Sequence, residues 1–183
     1  MDTVRLRRLN RRQAEDLGED LADLFVETSV AAPGEEFRGR AEFLRRLADD
    51  VRLPGFDMLI AETEALAGCA YGFPVPRDGS WWQGFDGPLP QSIDQLTASG
   101  HLLAIAETLV HPDEQTRGLA RHPLEHLLAD HESSLGVTLV DPPHGAARAA
   151  FEAWGRREVG RVRRSLPGPP DGPAPNARAQ RSA

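Results

Sequence analysis

The strongest constraint on the fold is a nine-residue run, Leu102–Val110, which is apolar at every position except Glu107 and Thr108. Such a run is typical of a strand that is buried on both faces of a sheet. A helical stripe of apolar residues over 117–134 follows it, and then a short apolar strand at 137–140. Strand, helix and strand in this order predict a βαβ unit, whose strands are parallel and joined by a right-handed crossover. The sequence therefore predicts an α/β fold.

The rest of the chain alternates between predicted helices, strands and turns. In order, the patterns predict a strand at 4–9, helices at about 12–28 and from 37 to before Pro54, an antiparallel hairpin of strands at 56–62 and 66–75, an ordered loop over 74–100, a helix at 147–154 and a strand at 158–163. Trp81 and Trp82 either line a binding site or anchor the long loop. Residues 1–164 are expected to form one domain. The stretch 165–183 holds five prolines in 19 residues, which predicts a disordered tail.

The composition argues against several classes of function. The chain has 21 basic and 28 acidic residues and a net charge of −7, which is unfavourable for binding nucleic acid or an anionic membrane surface. Every basic residue is arginine, so no lysine is present to bind phosphate in a Walker motif or to form a Schiff base. The single cysteine, Cys69, cannot form an internal disulfide, and no apolar stretch is long enough to span a bilayer. A cytoplasmic location is therefore expected.

The segment between the buried strand and the next helix, His111–Ala120, carries the clearest ligand-binding pattern. Gly118 allows the backbone to approach a ligand closely, and the unpaired N–H groups at a helix N-terminus favour an anion, phosphate above all. Without lysine, such a site would hold phosphate with backbone amides and arginine. An ordinary turn with a glycine at the start of a helix is the alternative interpretation.

The same segment resembles that of a known family. The run 105–112, with Gln115, Gly118 and Ala120 after it, resembles the acetyl-CoA signature of the GNAT-type N-acetyltransferases, and the order of elements extends the resemblance over residues 4–163. It implies a GNAT-like mixed central sheet with helices on both faces. It also implies transfer of an acetyl group from acetyl-CoA, a co-substrate, to a primary amine by direct attack in a ternary complex, with no metal. The family's seventh strand is expected to be missing.

The resemblance also implies roles for individual residues. Backbone groups of three strand residues would pair with the pantetheine arm of CoA: Thr108, Leu109 and Val110. Amides of the following turn would hold the pyrophosphate, with Gln115 at the rim: Thr116, Arg117, Gly118, Leu119, Ala120 and Arg121. A backbone N–H near Val110 would polarise the thioester carbonyl. The acceptor would be a small-molecule amine or an amine of a peptide, and a second copy in a homodimer could complete the open sheet edge.

Glu107 is the candidate catalytic residue because it is the one ionisable residue in a strand that is otherwise almost entirely apolar. A buried carboxylate is costly unless it is paired, protonated or functional. Partial burial would raise its pKa towards neutrality, which suits a general base that takes a proton from an amine, directly or through water. Similar acetyltransferases often carry this base at the matching position. The alternative is a structural glutamate bonded to an arginine.

One departure from the family pattern favours a different function. Family members often place a tyrosine, the acid for the CoA thiolate, where this chain has Phe151, and the neighbouring asparagine is His144 here. The only tyrosine is Tyr71, in a predicted strand. A catalytically degenerate acyl-CoA-binding or interaction module with the same fold is therefore the alternative to an enzyme.

Two further patterns have ordinary explanations. His122-Pro-Leu-Glu-His126 matches a zinc-protease motif, but helical geometry places both histidines on the solvent side, so no metal is expected. Residues 13–37 hold eight carboxylates and no arginine. This acidity either attracts a cationic amine or forms a solvated helix face.

Overall fold

The computed structural model describes residues 4–28, 36–113, 121–131, 135–139, 152–153 and 158–163. These residues contain one five-stranded sheet in the order β1-β2-β3-β4-β5. The strands are β1 (Arg5–Leu9), β2 (Asp57–Glu62), β3 (Leu66–Pro74), β4 (Leu102–Val110) and β5 (Leu135–Thr138). The helices are α1 (Arg11–Asp16), α2 (Gly18–Thr28), α3 (Glu36–Asp50), α4 (Gln91–Ser99) and α5 (Arg121–Asp130), with a 3₁₀ turn at Ser80–Trp82.

The sheet is mixed, as predicted. Strands β1 to β4 pair antiparallel in chain order, and β5 lies parallel to β4 on its other side. The predicted hairpin and the predicted parallel strands around α5 are therefore confirmed.

Helices cover both faces of this sheet. On one face α1, α2 and α3 pack on β2, β3 and the end of β4, in a core that includes Leu21, Phe43, Leu47, Ile60 and Tyr71. On the other face Leu124 and Leu127 of α5 pack on Leu59, Ala70, Leu103 and Ile105. The two faces draw on alternate strand residues, as the pleat requires. The predicted α/β architecture with helices on both faces is confirmed.

The helix predicted over 12–28 is two helices. Asn10 caps α1 with a capping box, in which its side chain accepts from the Gln13 N–H and the Gln13 side chain accepts from the Asn10 N–H. The chain leaves the helical conformation at Leu17 and re-enters it at Gly18. Gly18 is buried, and a Cβ there would lie 3.6 Å from Leu44 Cδ2. The apolar periodicity continues through this one-residue break and therefore could not reveal it.

The loop predicted over 74–100 contains a helix, α4. Its nine residues follow Pro90 and bury Ile93 and Thr97. The Trp82 indole N–H donates to Thr97 Oγ1 at 3.0 Å, and its ring packs edge-on against Trp81 and Phe85. The two tryptophans therefore anchor this segment against the sheet. Sequence reasoning missed α4 because prolines and glycines flank a helix of few apolar residues.

The strand predicted at 158–163 is not part of the sheet. Among these six described residues only Val162 forms a β-bridge, and its partner is Phe85. The bridge is extended by hydrogen bonds from the Asp86 N–H to the Arg161 carbonyl (2.8 Å) and from the Arg163 N–H to the Gly84 carbonyl (2.7 Å). This C-terminal segment (158–163) therefore pairs with a loop.

Several predictions concern residues that the structure does not describe. Of the helix predicted at 147–154 only residues 152–153 are described, and they are helical. The predicted tail at 165–183 and the rest of that helix lie outside the described residues. No helix within the described ranges is long and apolar enough to cross a membrane.

Candidate active site

A β-bulge in β4 creates the local geometry of the site. Tyr71 pairs with Glu107, but the next residue of β3, Gly72, pairs with Ile105, so Ala106 is an extra residue without a partner on β3. A Cβ at Gly72 would lie 2.1 Å from the Ala104 carbonyl oxygen. The backbones of β3 and β4 are therefore too close at Gly72 for any residue with a side chain at that position.

Among the described residues, strand β4 has only one neighbouring strand beyond this point. The parallel pairing with β5 ends at Ile105 and Thr138, whereas β4 continues to Val110. The His111 N–H bonds the Ala67 carbonyl of the β3 side, and antiparallel pairing alternates, so the main-chain groups of Thr108 and Val110 are directed away from β3. The Thr108 hydroxyl is buried and has no hydrogen-bond partner among the described residues. These groups lie on the side of β4 that has no strand partner among the described residues.

Glu107 lies on the face of the sheet that the first three helices cover. Its side chain is 18 % exposed, and its Oε2 lies 3.5 Å from Nη2 of Arg46 on α3. Burial raises the pKa of this carboxyl to about 7, against the opposing effects of Arg46 and the Thr108 backbone N–H, with a smaller upward contribution from Asp50. The predicted shift towards neutrality is confirmed in direction. At neutral pH the group is present in both protonation states.

Arg46 is the site residue that sequence reasoning missed. Its guanidinium lies over the ring of Phe25 of α2, 5.6 Å from the ring centroid, in a cation–π contact. Phe25 in turn stacks on Phe43 of α3, with the ring centroids 4.9 Å apart. The arginine is thus held between two helices and the strand that bears Glu107. No feature of the sequence distinguishes it from its neighbour Arg45.

Tyr71 lies directly opposite Glu107 on β3. It is almost completely buried and its ring packs against Phe56, with the centroids 5.7 Å apart. Burial raises the pKa of its hydroxyl well above the ordinary value, and the nearby Glu107 carboxylate raises it further. The Tyr71 hydroxyl is therefore neutral at physiological pH, and its side chain lines the site.

A cavity lies at the end of β4, between α2 and the β2–β3 hairpin. It is a cavity of about 440 Å³ lined by Leu17, Asp20, Asp23, Leu24, Glu27, Glu62, Ala65, Leu66 and His111. His111 Nε2 lies 3.3 Å from Glu27 Oε2. Two of the other carboxylates have arginine partners, Asp23 with Arg40 at 3.0 Å and Glu62 with Arg7 at 2.8 Å. Part of the acidic segment predicted at 13–37 therefore lines a cavity.

Comparison with known proteins shows which solved structures share this architecture. No protein-family model and no curated protein matches the chain. Among solved structures, it resembles the aminoglycoside N-acetyltransferase AAC(6')-Iy in complex with CoA over 92% of this chain and 97% of that one, with a TM-score of 0.59 and 14% identity. It also resembles aminoglycoside 6'-N-acetyltransferase AAC(6')-Ih from Acinetobacter baumannii (TM-score 0.60, 11% identity, 92% of this chain and 100% of that one). A ribosomal-protein-alanine N-acetyltransferase from Brucella melitensis biovar Abortus 2308 gives a TM-score of 0.56 at 12% identity, over 90% of this chain and 98% of that one. The chain has the fold of the GNAT-type N-acetyltransferases.

Much of the CoA site that the GNAT resemblance implies lies outside the described residues. The structure places Glu107, Thr108, Leu109 and Val110 together on β4, beyond the end of β5. Arg121 is the first residue of α5, which follows the predicted phosphate-binding turn. The remaining predicted residues of that turn are not described: Gln115, Thr116, Arg117, Gly118, Leu119 and Ala120. Phe151 and His144 are not described either.

The zinc-like motif on α5 has the geometry expected of a helix surface. His122 and His126 are exposed, while Pro123, Leu124 and Leu127 between and after them are buried. His126 Nδ1 lies 2.9 Å from the carbonyl oxygen of His122. Within the described ranges no three or more histidine, cysteine, aspartate or glutamate side chains are grouped to hold a metal ion.

Proposed function

We propose that this protein is an acyl-CoA-dependent N-acyltransferase, which transfers an acetyl group from acetyl-CoA to a primary amine by direct attack in a ternary complex. The observation that carries the proposal is Glu107, a largely buried carboxyl group whose pKa is raised to about 7. It lies on β4 next to the position where β5 leaves that strand. Such a group on the fourth strand of a GNAT fold supports a role as the proton acceptor of an acyl transfer.

Thr108 supplies groups that fit the CoA arm. Its main-chain groups are directed away from β3, towards the side of β4 that has no strand beside it among the described residues, and its buried hydroxyl has no partner among those residues. An amide-containing arm can use such groups as a neighbouring strand does. The turn 115–121 is proposed to hold the phosphates with backbone amides, since the chain has no lysine. CoA supplies the acyl group as an activated thioester.

Glu107 is proposed as the general base. An amine acceptor is mainly an ammonium ion at neutral pH and must lose a proton before it can attack. A carboxylate with a pKa of about 7 is a stronger base than an exposed one and is still about half ionised at pH 7. The proton passes to a Glu107 carboxylate oxygen, directly or through water.

The acidic cavity supports an amine as the acceptor. It carries four carboxylates, three from α2 and one from β2, within a space of about 440 Å³. Two of these carboxylates pair with Arg7 and Arg40, and the negative charge that remains in this concave surface raises the local concentration of cations and speeds their encounter with the protein. The acceptor is accordingly proposed to be a cationic small-molecule or peptide amine.

The decisive experiment combines binding and turnover. Calorimetric titration with acetyl-CoA is followed by measurement of free-thiol release across a panel of amines and peptides; Cys69 is buried and adds no signal of its own. We expect binding, and thiol release with at least one amine. Binding without release would favour the alternative, a degenerate acyl-CoA-binding module, for which Phe151 is the sequence argument. Absence of both would overturn the proposed function.

The first variant to test is Glu107→Gln. It preserves the shape of the side chain and removes the base, so turnover should fall about 100-fold while the affinity for acetyl-CoA stays unchanged. Glu64→Gln, at an exposed position in the β2–β3 hairpin, is the matched control and should retain the original rate. Wild-type turnover in Glu107→Gln would assign Glu107 a structural role.

A further inference from the structure

We propose that Arg46 is a positioning residue for Glu107: from α3 it orients the carboxylate and keeps part of it ionised near neutral pH. The inference rests on the proposed function, in which Glu107 is the base. It adds a residue of the helical layer to a site whose other members lie on β4 and the turn after it.

The contacts of Arg46 fix its place over the strand. Its Nη2 lies 3.5 Å from Glu107 Oε2, and its guanidinium lies 5.6 Å from the centroid of the Phe25 ring. The Arg46 side chain is 45 % exposed and that of Glu107 is 18 % exposed, so the arginine is the outer partner. The backbone of α3 is held by Phe43 and Leu47, both buried in the core three residues before and one residue after it. The arginine therefore approaches the carboxylate from a rigid helix.

The distance between the two groups is itself informative. A tight arginine–carboxylate pair has a separation of roughly 2.7–2.9 Å and holds the carboxylate firmly in its ionised form. Here the ring of Phe25 engages the guanidinium, and the separation from Glu107 is 3.5 Å. Such a contact orients the carboxylate without locking it as an ion pair. Glu107 thereby remains able to take up a proton.

The other groups around Glu107 do not replace this charge. Asp50, also on α3, raises the pKa of Glu107 slightly, and burial is the largest upward effect. On β3, Tyr71 and Cys69 face the same side; burial raises the pKa of both, so they are neutral at physiological pH. Arg46 is therefore the cation that opposes burial among the described residues. Its removal should raise the pKa of Glu107 above 7 and leave less carboxylate at neutral pH.

The test uses Arg46→Gln, Arg46→Lys and the control Arg45→Gln, which changes an exposed arginine one position away on the same helix. With an active amine, Arg46→Gln should move the acid limb of the kcat/KM profile to higher pH. An opposite charge at this range shifts a pKa by one unit or more, and partial exposure weakens the effect, so turnover at pH 7 should fall by roughly three- to tenfold and recover by about pH 9. Arg46→Lys should restore most of the limb, and Arg45→Gln should match the original protein.

A second measurement is independent of turnover. In protein labelled with ¹³C at the glutamate carboxyl carbons, the Glu107 resonance is assigned by its loss in Glu107→Gln, and its titration is followed in each variant. An upward shift in Arg46→Gln supports the inference even if no acceptor has been found. An unchanged titration in a folded Arg46→Gln variant overturns it. Absence of acetyl-CoA binding and turnover in the original protein would instead overturn the proposed function.

Discussion

Glu107 links the chemistry of the site to the stability of the whole chain. Its pKa is raised by burial from 4.5 to about 7, so the folded protein retains a proton that the unfolded chain releases. The resulting loss of stability is absent below about pH 4.5, grows as the pH rises through the interval to 7 and is complete above it. A difference of this size corresponds to about 3 kcal/mol.

Replacement of this residue by glutamine should therefore stabilise the protein in a pH-dependent manner. We expect Glu107→Gln to unfold at a higher temperature than the original chain at pH 8 and to differ much less at pH 5. Thermal unfolding monitored by circular dichroism at both pH values tests this. In Glu64→Gln, where the carboxyl group is exposed, the difference from the original protein should not depend on pH; the same pH dependence there would refute the explanation.

Sequence reasoning could identify Glu107 but not Arg46. An ionisable residue in an otherwise apolar strand stands out in the sequence. An apolar strand is expected to be buried, and burial is the largest cause of the raised pKa of Glu107. The contact with Arg46 joins residues 61 positions apart. It depends on how α3 lies across the sheet and on Phe25 of α2, neither of which leaves a local pattern. Partners of a site residue on other elements need the fold.

At the scale of the elements, two glycines respond oppositely to the same substitution. Gly72→Ala would place a Cβ 2.1 Å from the Ala104 carbonyl oxygen beside the bulge, where only backbone movement can relieve the clash. We expect a loss of about 2–3 kcal/mol or more in the free energy of unfolding. In α3, a Cβ at Gly39 would meet Phe25 Cε1 at 3.6 Å, an ordinary contact. Gly39→Ala should therefore stabilise the protein, by about 0.5–1 kcal/mol.

Chemical denaturation of the two variants tests this pair. A Gly72→Ala variant as stable as the original chain would show that β3 and β4 can separate locally without cost, in conflict with the close pairing at the bulge. Gly39→Ala controls for the general effect of adding a methyl group.

The elements were predictable where a periodic pattern was long. Strand β4 and the flanking β3 and α5 followed from runs of apolar residues, whereas the nine-residue α4 lay hidden between turns. The bulge at Ala106 was also invisible, because a slip of one residue in pairing depends on both strands. Of these two irregularities, the bulge is the one that sets the local geometry of the candidate site.

For the molecule as a whole, the C-terminal segment is the least expected feature. It pairs with the loop at 84–86 that the tryptophans anchor, so it ties residues 158–163 to the middle of the chain. The sequence predicted one more strand at 158–163. The contacts instead favour Phe85, whose ring lies 2.4 Å from where a Cβ at Gly160 would be. Tertiary packing decides whether this segment pairs with the sheet edge or with the loop, and a local sequence pattern does not show that packing.

This tie can be broken at one position. Gly84 has a φ of +83°, and a Cβ there would lie 2.0 Å from the Arg163 carbonyl oxygen, so Gly84→Ala should detach residues 158–163 from the loop. The amides of Asp86 and Arg163, which carry the two connecting hydrogen bonds, should then exchange with solvent faster. Gly87→Ala has comparable backbone strain, with a φ of +92° and no atom within 4 Å of the added Cβ, and should leave that exchange unchanged. Equal protection in both variants would contradict the pairing.

The unequal pairing of β4 also divides that strand into two halves that differ in the number of strands they are hydrogen-bonded to. Residues 102–105 pair with a strand on either side, whereas residues 107–110 pair with β3 alone among the described strands. Local opening of the second half breaks one ladder instead of two, so it requires less free energy. The proposed base, Glu107, thus belongs to the half with fewer strand partners among the described residues, while residues 102–105 keep it in register. In the proposed CoA complex, small fluctuations of this half would admit and release the pantetheine arm without disturbing the sheet that orients Glu107.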